Sequence, residues 1–275
     1  MTPEARAHEI AAEYAALPEV LAVALSGSRT AGNGDEASDI DLYVYSREEV
    51  PVDPRRSVAT RRGHPAEVDN RWWETGDEWR EREDGLHVDV MFRRAADMEA
   101  HLTYLLEHFE ARNGYSTAVW HNLRTSEILF DREGWLADLK RRADVPYPDG
   151  LARAIIARNF PLLRGAFGAY PHQIARAAAR GDLVSVNHRL AEFLASYFDV
   201  LFALNRTPHP GEKRLLPLAA RLPFVPPEFA PQVEAALSFT PATLAAVPGH
   251  VEALVDGLAR LLEERAELPA PHGER

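Results

Sequence analysis

Cysteine is absent from the 275 residues, lysine occurs only at Lys140 and Lys213 against 29 arginines, and no apolar run is long. Without cysteine there is no disulfide framework of the kind that stabilises small secreted domains. The longest apolar stretches, such as Val20 to Leu25, fall far short of the roughly 20 residues that cross a bilayer, so no membrane span is expected. Met1-Thr2-Pro3-Glu4-Ala5-Arg6 lacks a basic region followed by an apolar core, which leaves no secretory signal to read. A cytoplasmic enzyme is the expectation. A basic stripe is missing too: 42 acidic residues outnumber 31 basic ones, for a net charge of −11. Such a chain is a poor candidate for gripping DNA or RNA through phosphates, so no nucleic-acid partner is expected.

The acid is unevenly spread. Residues 1–150 hold 18 basic against 30 acidic side chains, and residues 151–275 hold 13 against 12. An acidic half favours a cationic or neutral small acceptor, although acidic surface also serves plain solubility. With 46% hydrophobic and 27% charged residues, the chain reads as globular and long enough for two domains.

Periodicity predicts a helix over 4–17 ended by Pro18, and strands at Val20–Leu25, Ile40–Tyr45, Glu67–Trp72, Leu86–Phe92 and Glu127–Phe130. Trp73 to Trp79 is read as a connecting segment, and helices are expected over 95–109 and 134–143. Pro146-Tyr147-Pro148-Asp149-Gly150 is the clearest boundary. Beyond it, residues 151–164, 170–180, 183–204 and 248–264 show helical spacing, interrupted by a Pro-rich stretch from Thr207 to Pro231. The expected fold class is α+β: a mixed sheet flanked by helices over 1–145, a helical bundle over 151–265, and a frayed tail over 266–275.

The most informative run is Leu25-Ser26-Gly27-Ser28-Arg29, followed by Asp39-Ile40-Asp41-Leu42. In a strand, side chains alternate faces, so Asp39 and Asp41 project together while Ile40 and Leu42 enter the core. A Gly-Ser turn after a strand offers backbone N–H groups to phosphate oxygens. Magnesium is commonly held by one or two carboxylates plus substrate phosphates, which suits Asp39 and Asp41. Asp89 in His87-Val88-Asp89-Val90-Met91 lies in an apolar strand where an unpaired carboxylate is costly to bury. Its register puts it with His87 and Met91, opposite Val88 and Val90. Three such carboxylates are what two-metal nucleotidyl transfer requires. The same residues would also suit a surface hairpin, and Asp89 an ion pair with Arg71 or Arg93; Glu67 and Asp69, at the same spacing, are substitutes for Asp89.

Gly27-Ser28, Asp39-x-Asp41 and Asp89 resemble the signature of the nucleotidyltransferase fold shared by polymerase β and antibiotic nucleotidyltransferases. Over roughly residues 5–265 the chain resembles bacterial nucleotidyltransferase-like proteins with a DUF4037-type region, including Trp73-Glu74-Thr75-Gly76-Asp77-Glu78-Trp79 and His209-Pro210-Gly211-Glu212-Lys213-Arg214. The resemblance implies transfer of a nucleoside monophosphate from ATP or another nucleoside triphosphate to a small-molecule acceptor, releasing pyrophosphate. It implies Mg2+, two ions, on Asp39, Asp41 and Asp89, and nucleotide contacts from Gly27, Ser28, Arg29, Lys213 and Arg214. Glu74 is the implied general base, by likeness to antibiotic-modifying members; a solvated loop acid is the plainer reading. The active site is expected between the two domains.

Trp72, Trp73 and Trp79 are stacking candidates for a nucleobase or sugar ring, although clustered tryptophans more often pack a loop against a domain interface. Residues 74–84 hold six acids and two arginines, a local charge that favours a cationic acceptor. Two other classes fit the same residues: a catalytically silent nucleotide-binding protein with a regulatory role, and an antitoxin-like enzyme that modifies a partner protein.

Overall fold

The computed structural model describes residues 1–27 and 39–269. Ser28 and Arg29 lie outside the described residues. Two compact units are present, residues 1–103 with 122–145, and residues 104–121 with 146–275.

The first unit starts with α1 (Pro3–Ala15), whose N-terminus is capped by Thr2, its Oγ1 accepting the Ala5 N–H at 3.2 Å, with Pro3 opening the helix where no donor is needed. Then come β1 (Val20–Ser26), β2 (Ile40–Ser46), α2 (Val52–Arg62), β3 (Gly63–Asn70), β4 (Gly76–Glu81), β5 (His87–Arg94) and α3 (Ala95–Leu106). Helix α4 (Ala118–Thr125) leads into β6 (Glu127–Asp131) and α5 (Trp135–Ala143). The six strands form one sheet in the order β3-β4-β5-β2-β1-β6. Only β2 and β5 run parallel; the other neighbours are antiparallel.

Alternation along the strands sorts the two faces. Val23, Leu25, Ile40, Leu42, Val44, Trp79, Val88 and Val90 join Ile10 and Tyr14 of α1 and Val58 and Ala59 of α2 in one buried core. Asp41, Tyr43, Glu78 and Asp89 fall on the other face. That face is partly covered where Trp135 of α5 packs on Tyr45, ring centroids 5.4 Å apart.

Among the elements that went unread in the sequence, α2 and β4 did so for related reasons. Helix α2 buries Arg55 beside Val58 and Ala59, so its inward face carries too little hydrophobic periodicity to register. Strand β4 reads Gly-Asp-Glu-Trp-Arg-Glu, yet Asp77 is buried against Arg55 at 2.6 Å and Glu81 accepts the Trp79 indole N–H at 2.9 Å. Each supplies the other's missing signal.

The second unit continues with α6 (Asp149–Leu163), α7 (Tyr170–Ala179), α8 (Leu183–Leu204), α9 (Leu215–Ala219), α10 (Phe229–Leu237) and α11 (Val247–Glu264). Helix α8, capped by Asp182 on the Ser185 N–H at 3.0 Å, packs its Val186, Leu190, Phe193 and Tyr197 inward. Residues 104–121 belong to this unit rather than to the expected 1–145 block. The reason is hydrogen bonding: Gly114 N–H donates to Asn159 Oδ1 at 2.9 Å, Ser116 donates its N–H and O–H to Asp199 at 3.0 and 2.7 Å, and His209 N–H donates to Thr117 Oγ1 at 2.7 Å. Burial pushes Asp199 up to about 7 against these donors, and pushes His209 down to about 4. Among the described residues no helix is long and apolar enough to cross a membrane.

Candidate active site

The parallel register of β2 and β5 sets Asp41 directly opposite Asp89. On the far side of β5, antiparallel pairing sets Glu78 opposite Asp89, and the next step sets Glu67 opposite Glu78. Four carboxylates therefore form a line across adjacent strands, at the roughly 4.8 Å spacing of a sheet. Ser26 ends the line, opposite Asp41. Asp39 precedes β2 on the same side, its Oδ2 3.6 Å from His87 Nδ1, while His87 Nε2 lies 3.5 Å from Glu78 Oε2. One imidazole thus lies between two acids.

Asp89 is pushed up to about 6, first by burial, then by the nearby Glu78 and Asp41 carboxylates, with His87 opposing. Gly27 ends β1 at φ +76°, and a Cβ there would sit 1.9 Å from Asp41 Oδ2. Glycine is required because the chain presses on that carboxylate and turns through the left-handed region at once.

Hard oxygen donors one strand apart fit a magnesium ion, which keeps several water or phosphate ligands of its own. The crowding that raises Asp89 is what a divalent cation between Asp41 and Asp89 would relieve. Among the described residues no three His, Asp or Glu side chains already close on one point. The strand register thus sets Asp41 and Asp89 side by side as a carboxylate pair.

Other expected residues are placed elsewhere. Glu74 gives both carboxylate oxygens to Arg93, at 2.7 and 2.9 Å, and Arg93 in turn lies over the Tyr43 ring at 4.0 Å. Burial works against the Arg93 charge, yet the Glu74 hydrogen bonds hold the guanidinium more basic than usual. Arg93 is four residues beyond Asp89, about 13 Å along the strand at ~3.3 Å per residue. Glu74 is therefore not brought beside Asp41 and Asp89. Neither is Asp69: it takes φ +63° at a register shift, and its carboxylate meets Arg71 at 3.1 Å and Arg55 at 3.5 Å. Lys213 and Arg214 are exposed just before α9 in the second unit, Arg214 at φ +54°.

Of Trp72, Trp73 and Trp79, the last is core, whereas Trp72 and Trp73 are 75% and 90% exposed, and Trp72 Nε1 donates to Glu67 at 2.9 Å. The acids of 74–84 are largely neutralised: Asp77 pairs with Arg55, Glu81, Glu83 and Asp84 with Arg6, and Glu74 with Arg93. Glu78 alone in that stretch joins the acidic line. The sequence reading missed it, although the alternation of Asp77, Glu78 and Trp79 would have placed Glu78 opposite the buried pair once β4 was recognised as a strand.

Comparison with known families agrees with this geometry. Residues 8–109 match the family described as Nucleotidyltransferase domain, and residues 116–215 match Domain of unknown function (DUF4037). No curated protein matches the chain. Among solved structures, the chain is similar to a nucleotidyltransferase-like protein from Exiguobacterium sibiricum 255-15, at 18% identity and a TM-score of 0.45, over 95% of this chain and 75% of that one. The chain is thus similar to a nucleotidyltransferase domain over residues 8–109 and to a DUF4037 region over residues 116–215.

Proposed function

We propose that this protein is a magnesium-dependent nucleotidyltransferase that moves AMP from ATP to a hydroxyl of a small-molecule acceptor and releases pyrophosphate. What supports it most is the register that sets Asp41 against Asp89, with Gly27 fitted to the Asp41 carboxylate. In this reading Asp41, Asp89 and Asp39 hold the metal, and magnesium, when bound, neutralises the triphosphate and the departing pyrophosphate. Gly27 gives its close backbone approach to the nucleotide, joined by Ser28 and Arg29. Glu74 keeps Arg93 against Tyr43.

The acceptor meets a face bearing Glu67, Glu78, Asp89 and Asp41, whose negative field favours a hydroxylated cation over a phosphorylated sugar or an RNA end. The test is pyrophosphate release from ATP and Mg2+ across a panel of aminoglycosides, polyols and sugar phosphates. Turnover with a cationic acceptor, lost about a thousandfold in Asp41→Asn for roughly 4 kcal/mol of transition-state stabilisation, is the expected result. A folded Asp41→Asn protein that turns over at the wild-type rate would overturn the proposal.

A further inference from the structure

The nucleotidyl-transfer reading gives the metal to Asp41, Asp89 and Asp39 and leaves Glu78 of the acidic line without a part in the chemical step. Glu78 stands directly across from Asp89, on the side of β5 away from Asp41. It is thus one strand from the metal pair's inner member and two strands from the other, roughly 10 Å away. A carboxylate so placed is beside the metal ligands without being one of the adjacent pair.

The surroundings of Glu78 are built to orient it. Asn70, almost fully buried, donates its Nδ2 to Glu78 Oε1 at 3.1 Å. His87 Nε2 is 3.5 Å from Oε2, outside ordinary hydrogen-bond range, so that oxygen keeps its accepting capacity. The placement of Asn70 is itself set from the opposite face of the sheet. Asp77, locked by Arg55 at 2.6 Å, accepts the Asp69 backbone N–H at 2.9 Å and so pins the bulge that delivers Asn70. Gly76, opposite Met91, leaves room there: a Cβ would lie 3.6 Å from Asn70 Oδ1 and 3.2 Å from the Val90 carbonyl. Glu74, by contrast, has both oxygens held by a guanidinium.

Resting on the nucleotidyl-transfer reading, we propose that Glu78 is the catalytic carboxylate that takes the acceptor's hydroxyl proton, with Asn70 as its positioning residue. The acceptor O–H bond breaks as its oxygen bonds the α-phosphorus. The proton passes to Glu78 Oε2, and the bond from the α-phosphorus to pyrophosphate breaks with its electron pair leaving on pyrophosphate.

The experiment uses the full chain and three readouts: Mn2+ binding followed by the spectrum of the free ion, ATP affinity by calorimetry, and pyrophosphate release with the best acceptor of the panel above. Glu78→Gln is expected to keep Mn2+ and ATP affinity within about twofold while release falls roughly 10²–10³-fold, the range typical of a lost general base. Asn70→Ala should lower kcat about tenfold at unchanged KM for ATP and add nothing in the Glu78→Gln background, as expected for residues acting as a unit. Glu83→Gln, which removes an acid paired to Arg6 away from this line, controls for charge. Wild-type release in Glu78→Gln overturns the proposal and leaves the reading of the site intact. Loss of Mn2+ binding in Glu78→Gln, as in Asp41→Asn, makes Glu78 a ligand and overturns it as well. A wild type that releases no pyrophosphate with any acceptor overturns both.

Discussion

Replacing Gly27 by alanine tests its close approach to the Asp41 carboxylate. The new Cβ would stand 1.9 Å from Asp41 Oδ2, 2.8 Å from its Cγ and 3.1 Å from its Cβ. Turning the carboxylate clears the oxygen, but the Cγ and Cβ overlaps require the backbone to yield. Two costs add: about 1–2 kcal/mol for a side chain in the left-handed region, and about 1–2 kcal/mol for forcing atoms into a packed site. A loss near 3 kcal/mol lowers the Tm of a domain this size by about 10 °C. Gly85 separates the two costs, having φ +73° with no atom within 4 Å of its Cβ position. Gly85→Ala should therefore lower the Tm by only about 4 °C and leave Mg2+ binding unchanged. Gly27→Ala should show the larger shift in a thermal melt and lose pyrophosphate release, because Asp41 is displaced. Equal melting shifts and unimpaired turnover in the two variants would refute the reasoning.

Asp89 is held at about 6, above the ~3.9 of an unfolded chain, so its protonated form favours folding. The metal-free protein should lose that contribution as pH rises from about 4 through 6, and Asp89→Asn should melt higher than wild type at pH 8 while losing activity; a lower melt at pH 8 would contradict this. Arg55→Leu leaves Asp77, buried beside it, uncompensated, which should cost about 3–5 kcal/mol in urea unfolding, partly restored by adding Asp77→Leu. If Lys213 meets the triphosphate, Lys213→Ala should weaken calorimetric binding of ATP much more than of AMP; equal losses would return it to the surface.

Much of the fold was legible because its strands carry period-2 patterns and its long helices period-3.6 ones. Val20–Ser26, Ile40–Ser46 and His87–Arg94 were read within a residue or two, and α8 at Leu183–Leu204 to the residue. Asp41 and Asp89 were legible as a pair on one face because Ile40, Leu42, Val88 and Val90 alternate with them. What stayed hidden depends on partners distant in sequence. Asp77 looks solvated until Arg55, 22 residues earlier, is found beside it. That pairing conceals both α2 and β4, and with β4 goes Glu78. Likewise Glu74 looks available until Arg93 is found to hold both its oxygens. The segment 104–121 was assigned by sequence continuity, and its ties to Asn159 and Asp199 are long-range hydrogen bonds that no local pattern announces.

The central claim is that Asp41 and Asp89 share a divalent cation that carries the triphosphate. It is tested most directly by anomalous diffraction from crystals grown with Mn2+ and a non-hydrolysable ATP analogue. The account predicts an anomalous peak about 2.1 Å from a carboxylate oxygen of each residue, with phosphate oxygens completing the octahedron. Nucleotide bound with its metal away from Asp41 and Asp89, or bound with no metal at all, would contradict it.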